Sequence, residues 1–369
     1  MSTVPLDGLK VAYLFVHDVN YPRNRLVREY LEKSGADVDV YPETLIGRRN
    51  PLTPSYIKNL ITLLSGYDVA VLSEFQLRYA LVTGIAAKLS NTRLIVDGFV
   101  GRFETAVGDW GQTAPLSLKS FVYRAVDFSS LLVADIFIID NDFRAQQVRS
   151  KYAARVFCKQ VAALPVGAPK WAQPIDAINS ASPTGPLRVL YYGNYVPLHG
   201  VDVVLAAVSQ YAKNEQIDLT LVGNGTEREK FEQNARSLGI AAICDFRDSI
   251  EEKDLRPLIA SSDVVLGVFG DSPKAKSVIA NKVWQGLAMG KRVVTRESPA
   301  LVELRFVSST QLLQVRPTAE GLALVLAQVS ELKQNGALTE FHQTHRDFQS
   351  YIDERFADFI ENVKKEVQR

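Results

Sequence analysis

Twice along the chain, short β-branched and apolar runs alternate with longer amphipathic stretches, and this alternation constrains the fold more than any other feature. Parallel strands joined by helices produce such a pattern. A strand covered on both faces needs a continuous apolar run, whereas its connecting helix needs only one apolar stripe. In the first series strands are expected at residues 10–16, 37–41, 68–73, 93–97 and 135–140. Between the first two, Leu26, Val27, Tyr30 and Leu31 share one helical face, and Ser34-Gly35 stops the helix. The second series places strands at 187–192, 218–222, 242–246, 263–269 and 292–295. Ser249 and Glu252 have the spacing of a capping box ahead of Leu255, Leu258 and Ile259.

Pro165, Gly167, Pro169, Pro174, Pro183, Gly185 and Pro186 separate the two series, which is the composition of a linker. A chain of 369 residues also exceeds what one core usually organises. The expected architecture is α/β, with two Rossmann-like doubly wound parallel-sheet domains. The first spans 1–168, a linker 169–186, the second 187–345, and an amphipathic helix 346–369 packs across the domains. Phe348, Ile352, Phe356, Phe359, Ile360 and Val363 form that helix's stripe, which is expected to dock on the protein itself before any membrane.

Charge removes several function classes. The 42 Lys and Arg nearly balance 41 Asp and Glu, so no global basic field argues for nucleic acid. Residues 1–170 carry 20 basic against 16 acidic side chains, a slight tilt read as ordinary surface scatter. Cys158 and Cys244 are the only cysteines and support neither a disulfide framework nor a zinc site, which fits a reduced cytoplasm. The first residues lack an apolar signal core and no stretch has the apolar length of a bilayer span, so membrane contact is expected only peripherally, on the cytoplasmic face.

In doubly wound sheets ligands lie beyond the carboxyl ends of the strands, so the loops after each strand hold the candidates. Gly193, Asn194 and His199 follow the first strand of the second series and precede a helix, where glycine lets backbone amides approach a diphosphate. Gly223 and Gly225 form the next turn, tight enough for a base or ribose to lie against it. The stretch after residue 269 carries Lys274, Lys276 and Lys282, with Asn281 at a helix start, so cations and helix dipole converge where a phosphate would sit.

Taken in order, these elements resemble the family-4 group of GT-B glycosyltransferases. The glycine turn, Val222-Gly223-Asn224-Gly225, the Ser261-Ser262-Asp263 step and Ala288-Met289-Gly290 before Val293-Val294 all have counterparts in that family. The resemblance runs from about Val189 to Glu303. Asn194 and His199 stand where the family commonly has Arg and Lys, and Ser277 and Gln285 where it has two glutamates, so this chain looks like a variant subgroup with Gln in place of the second glutamate. The family implies transfer of a sugar from a nucleotide-diphosphate sugar to a hydroxyl acceptor with retention, in glycan, polysaccharide or glycolipid assembly. The acceptor would be a sugar, a lipid-linked group or another hydroxyl. Lys282, Lys274, Asn281 and Gln285 would hold the donor with Gly193, Asn194, His199, Gly223 and Gly225, and Lys282 is also a candidate catalytic residue, stabilising the leaving diphosphate with Lys274. The competing readings are a catalytically impaired nucleotide-sugar-binding protein and a sugar-nucleotide epimerase on the same fold.

In the first series Asp97 and Glu104 are the candidates to orient or deprotonate an acceptor hydroxyl, beside the alternative that Asp97 caps the next element. His17 and Arg102 are candidate acceptor contacts. There is no Asp-x-Asp element beside the donor loops, so no metal and no cofactor is expected; the nucleotide sugar is a substrate.

Overall fold

The computed structural model describes residues 5–48, 50–151, 160–174, 185–338 and 341–369. Contacts divide the chain into two units: Met1–Gly167 with Tyr351–Arg369, and Ala168–Ser350. The expected linker lies in large part, at 175–184, outside the described residues, as does Cys158.

The first unit is built on β1 (Lys10–Val16), β2 (Asp37–Pro42), β3 (Val69–Leu72), β4 (Arg93–Asp97), β5 (Ile136–Ile139) and β6 (Gln160–Ala163), all parallel, in the order β2-β1-β3-β4-β5-β6. Alternate residues serve opposite faces. Ala12, Leu14, Ala70, Leu72, Leu94 and Val96 join one buried cluster, while Val11, Tyr13, Val69, Val71 and Ile95 join another. Helix Pro22–Lys33 forms as the sequence predicts, with Pro at its first turn and Gly35, at φ +93°, just beyond its end.

The second face is closed by helix His342–Val367. Ile352, Phe356, Phe359, Ile360 and Val363 are all buried there, with Phe356 stacked on Tyr30 at 4.1 Å between centroids. Full burial of each side chain is worth about 1.5–3 kcal/mol, so the stripe is committed to the protein core. Phe348, at the other end of the stripe, packs within the second unit against Trp284 and Phe306.

The second unit has β7 (Leu187–Tyr192), β8 (Ile217–Val222), β9 (Cys244–Arg247), β10 (Val264–Leu266), β11 (Arg292–Arg296) and β12 (Leu312–Val315), in the order β12-β11-β10-β7-β8-β9, again all parallel. The strand order reverses between β7 and β10, which places a ligand crevice beyond their carboxyl ends. At the opposite ends of the same strands, buried Asp263 accepts from Arg188 at 2.7 Å and from Lys333 at 2.8 Å.

Several local expectations need correction. β6 and β12, each four residues long, were not expected; runs that short carry no readable period. β10 stops at Leu266, although the chain stays beside β11 through Gly267 N–H to Val294 O at 2.7 Å and Arg296 N–H to Val268 O at 2.9 Å. The capping box does not form. Glu252 instead accepts from Gln285 Nε2 at 2.9 Å, and a 3-10 turn over Glu252–Asp254 leads into helix Leu255–Ser261.

Candidate functional site

Three loops interlock at the reversal point of the second sheet. Gly193 follows β7 with φ +127°, a conformation that side chains rarely adopt. Its amide donates to the Val222 carbonyl at 2.9 Å, and Tyr195 N–H donates to Asn224 O at 3.0 Å, lacing the loops after β7 and β8 together. A β-carbon on Gly223 would fall 2.1 Å from the Gly193 carbonyl oxygen, and one on Gly225 would meet the Tyr195 backbone at 2.9 Å. On the other side, Phe269 N–H donates to His199 O at 2.9 Å and Gly270 N–H to Leu198 O at 3.1 Å. Arg296, buried at the end of β11, donates to the Gly270 carbonyl.

Lys282 enters this frame from helix Asn281–Ala288. It is only 4% exposed, its ammonium lies 4.1 Å from the centre of the Tyr191 ring, and its Nζ has no hydrogen-bond partner. Burial holds its pKa well below the ordinary lysine value. A β-carbon on Gly193 would lie 3.4 Å from Nζ and 3.2 Å from His199 Cε1, so these three residues face one another.

His199 is held by its Nδ1, 2.6 Å from the Asn194 carbonyl oxygen. A carbonyl only accepts, so Nδ1 carries the hydrogen and Nε2 is the nitrogen left to a ligand. Burial, then the field of Lys282, push its pKa well below the usual histidine range; the Asn194 bond opposes them, and Lys274 adds a smaller lowering. Asn194 therefore acts through its backbone. A buried amine with no acceptor and a neutral imidazole, brought together where Gly193 leaves out a side chain, form a basic recess suited to a phosphate.

The remaining donor candidates divide. Asn281 opens the helix and Lys274 lies in electrostatic reach of His199. Lys276 is paired with Asp271 at 2.9 Å. Gln285 has both ends of its amide engaged, accepting from Tyr192 Oη at 2.9 Å and donating to Glu252, so the structure turns it into the protein where a donor contact was expected. Ser277 Oγ donates to the Lys274 carbonyl at 3.1 Å.

On the first unit, Asp97 is not placed as a free base. It is fully buried, its Oδ2 accepts from Arg23 Nε at 2.8 Å, and its Oδ1 accepts the Phe99 N–H at 3.0 Å, which is the capping alternative with an ion pair added. Glu104 accepts from Arg144 Nη2 at 2.5 Å, and Arg144 also binds Asp140 at 2.6 Å. His17 is exposed just beyond β1. Arg102 donates its N–H to Asp127 and lies over the Tyr123 ring.

Glu74 was missed. It follows β3, is 1% exposed, and accepts from Asn24 Nδ2 at 2.8 Å through one oxygen while the other has no partner. Burial, reinforced by Asp97, raises its pKa to about 8. Arg23 Nη2 is likewise buried without a partner. No sequence signal marks Glu74, since a polar residue two positions past a buried strand is ordinary loop chemistry.

Among the described residues no group of three His, Cys, Asp or Glu side chains could hold a metal ion, and no helix is long and apolar enough to cross a membrane. Residues 173–269 match the family model described as glycosyl transferases group 1. No curated protein matches the chain. Among solved structures, a glycosyltransferase from Rickettsia africae ESF-5 superposes with a TM-score of 0.71 at 13% identity, over 98% of this chain and 99% of that one. HepE of Anabaena in complex with UDP gives 0.64 at 14%, over 98% of each chain. Sucrose-phosphate synthase from Thermosynechococcus elongatus gives 0.63 at 17%, over 98% and 97%. The two parallel sheets are thus the GT-B fold, and the matched segment, which runs to the loop beyond β10, marks the chain as a glycosyltransferase.

Proposed function

We infer that the chain transfers a sugar from a nucleoside-diphosphate sugar to a hydroxyl acceptor, with retention and without a metal, and that the donor diphosphate sits on Lys282 and His199 against the side-chain-free surface of Gly193. One observation carries this reading: the buried Lys282 ammonium has no partner at the point of strand reversal. An uncompensated buried cation is costly, and a bound phosphate is the group that would compensate it. Cleavage of the bond between the anomeric carbon and the diphosphate leaves negative charge on the leaving oxygen. Lys282 and a protonated His199 would meet that charge directly, which is the task a metal performs in other transferases. The acceptor, a sugar or lipid-linked hydroxyl, would meet the carboxyl edge of the first sheet, where His17 and Arg102 lie. Assembly of a glycan, polysaccharide or glycolipid at the cytoplasmic side fits this chemistry, as does placement in the family-4 group as a variant with Gln285 in place of a glutamate.

A donor-binding protein without turnover is the second reading, favoured by the engagement of Gln285 with Tyr192 and Glu252. Thermal stabilisation by UDP, GDP, TDP, ADP and CMP and their sugars, with and without EDTA, tests the first step, and UDP is the first to try because HepE was solved with it. Release of the diphosphate from the stabilising donor in the presence of acceptor sugars tests the second. Stabilisation with release supports transfer, stabilisation without release supports the binding protein, and no stabilisation by any nucleotide rejects both.

A further inference from the structure

Helix Leu118–Val133 of the first unit presents two unlike faces. Ser120, Ser130 and Leu131 are buried, and Val126 and Val133 pack on the core, with Val133 seated against Gly84. The opposite face, at the start of the helix and in the turn before it, exposes large apolar side chains: Leu116 is 83% exposed, Leu118 82%, Phe121 53% and Val122 52%. Isolated exposed apolar residues are ordinary, but four within seven positions on one face are a patch.

At about 3.6 residues per turn, Leu118, Phe121 and Val122 form one stripe directly opposite Ser120 and Asp127, with Lys119 on one flank and Arg124 on the other. Neither cation has a carboxylate partner among the described residues. Lys119 lies 5.8 Å from the Tyr123 ring centre and Arg124 4.2 Å from that of Phe103. No Asp or Glu occurs between Trp110 and Val126. Asp127 turns inward, accepting the Arg102 and Phe103 amides at 2.8 and 2.9 Å. The turn is fixed: Ser117 caps the helix by accepting from Ser120 N–H, and Ser120 Oγ donates to the Pro115 carbonyl at 2.7 Å.

We propose that this turn and helix start form a membrane-docking surface, in which Leu116, Leu118, Phe121 and Val122 enter the acyl boundary while Lys119 and Arg124 reach anionic headgroups. Charge complementarity selects the occupant. An apolar stripe flanked on both sides by long cations, in a segment without a carboxylate from residue 111 to residue 126, matches the layered order of an anionic lipid interface, apolar below and negative above. A protein partner or second copy would require no such clearing of one charge sign around the stripe. The surface belongs to the first unit alone and does not depend on the donor site.

Sedimentation of the full chain with vesicles tests it, using phosphatidylcholine alone and phosphatidylcholine mixed with phosphatidylglycerol. The wild type is expected to bind the anionic vesicles, less so at high salt, and the neutral ones weakly. L116D/L118D should lower the partition coefficient at least roughly tenfold, since the lost apolar burial exceeds one decade. K119E/R124E should lower it for anionic vesicles only, by about fivefold or more per charge reversed. All four side chains are exposed, so both variants should keep the wild-type melting temperature and any nucleotide stabilisation. Wild type remaining in the supernatant with both vesicle types overturns the proposal, as does L116D/L118D binding as well as wild type. A dimer seen by light scattering and abolished by L116D/L118D, without vesicle binding, overturns it in favour of a second copy.

Discussion

Replacing Lys282 by Met should stabilise the empty protein and abolish its response to nucleotide, an unusual pairing of signs that follows from the geometry. The ammonium is 4% exposed, lies over Tyr191, and has no acceptor. Its folded pKa is depressed below the unfolded value, so between those two values the unfolded chain binds the extra proton and stability rises with pH. Met has similar length, no charge and good contact with an aromatic face. Removing the buried charge should therefore add about 1 kcal/mol or more, by analogy with other apolar replacements of buried ions. That is roughly 2–4 °C for a unit of this size. The same change deletes a charge-assisted hydrogen bond to the diphosphate, worth about 2–3 kcal/mol, or roughly 30- to 150-fold in Kd. Differential scanning calorimetry of wild type and variant, across pH and with saturating nucleotide, reads both effects. A variant less stable than wild type when empty would refute the argument that Lys282 awaits an anion. Unchanged nucleotide affinity would refute its placement at the donor.

Nucleotide binding should take up protons, because a dianion raises the depressed pKa values of Lys282 and His199 towards their ordinary values; titration calorimetry in buffers of different ionisation enthalpy measures this, and affinity should fall as pH rises. Gly223→Ala should cost more than about 2 kcal/mol and weaken donor binding, since its β-carbon would fall 2.1 Å from the Gly193 carbonyl oxygen; a folded variant with wild-type affinity would show that the two loops need not touch. Asp97→Asn should destabilise the first unit by about 3–5 kcal/mol in urea titration, as Arg23 loses its buried counter-ion; a stable variant that is merely inactive would restore Asp97 as a base. Glu74 is protonated in the fold up to about pH 8 and ionised above about 4.5 when unfolded, so its contribution to stability declines as pH rises through that window. Glu74→Gln should flatten that slope in thermal melts from pH 5 to about 8.

How much of this was legible depends on whether the signal was periodic or positional. Strands such as β1 and β7 could be read because their apolar runs are long and bounded by turn residues. β6 and β12 could not, because four residues support a strand, a turn or the end of a helix equally. The donor edge was half legible. Gly193, Gly223 and Gly225 announced tight turns, and Lys282 stood near a helix start, but sequence could not tell which of the three lysines is buried. Lys276 proved to be the partner of Asp271 and Lys282 the one without a partner. Gln285 shows the reverse limit, since its position in the chain suggested a donor contact and only the fold reveals Tyr192 and Glu252 on either side of its amide.

The carboxyl edge of the first sheet was the least legible part, for a reason that also explains the second. Asp97 and Glu74 lie at the ends of adjacent strands, and the sequence analysis singled out Asp97 but not Glu74. The deciding quantity is the partner. Arg23 lies against Asp97 and donates to it, whereas Glu74 has no cation in hydrogen-bonding contact, and burial, then the neighbouring Asp97, raise its pKa against the opposing hydrogen bonds from Asn24 and its own backbone. Two carboxyl groups at one sheet edge thus differ by which of them holds the cation. In the second unit Lys282 stands to His199 as Asp97 stands to Glu74: burial first, and a neighbouring group second, press the residue towards neutrality. Both edges keep ionisable groups away from the state they hold in water, and at each edge a polar atom is left buried without a partner. Such atoms are expensive unless something outside the chain completes them, so the places where the fold is least satisfied internally are where substrate chemistry should be sought.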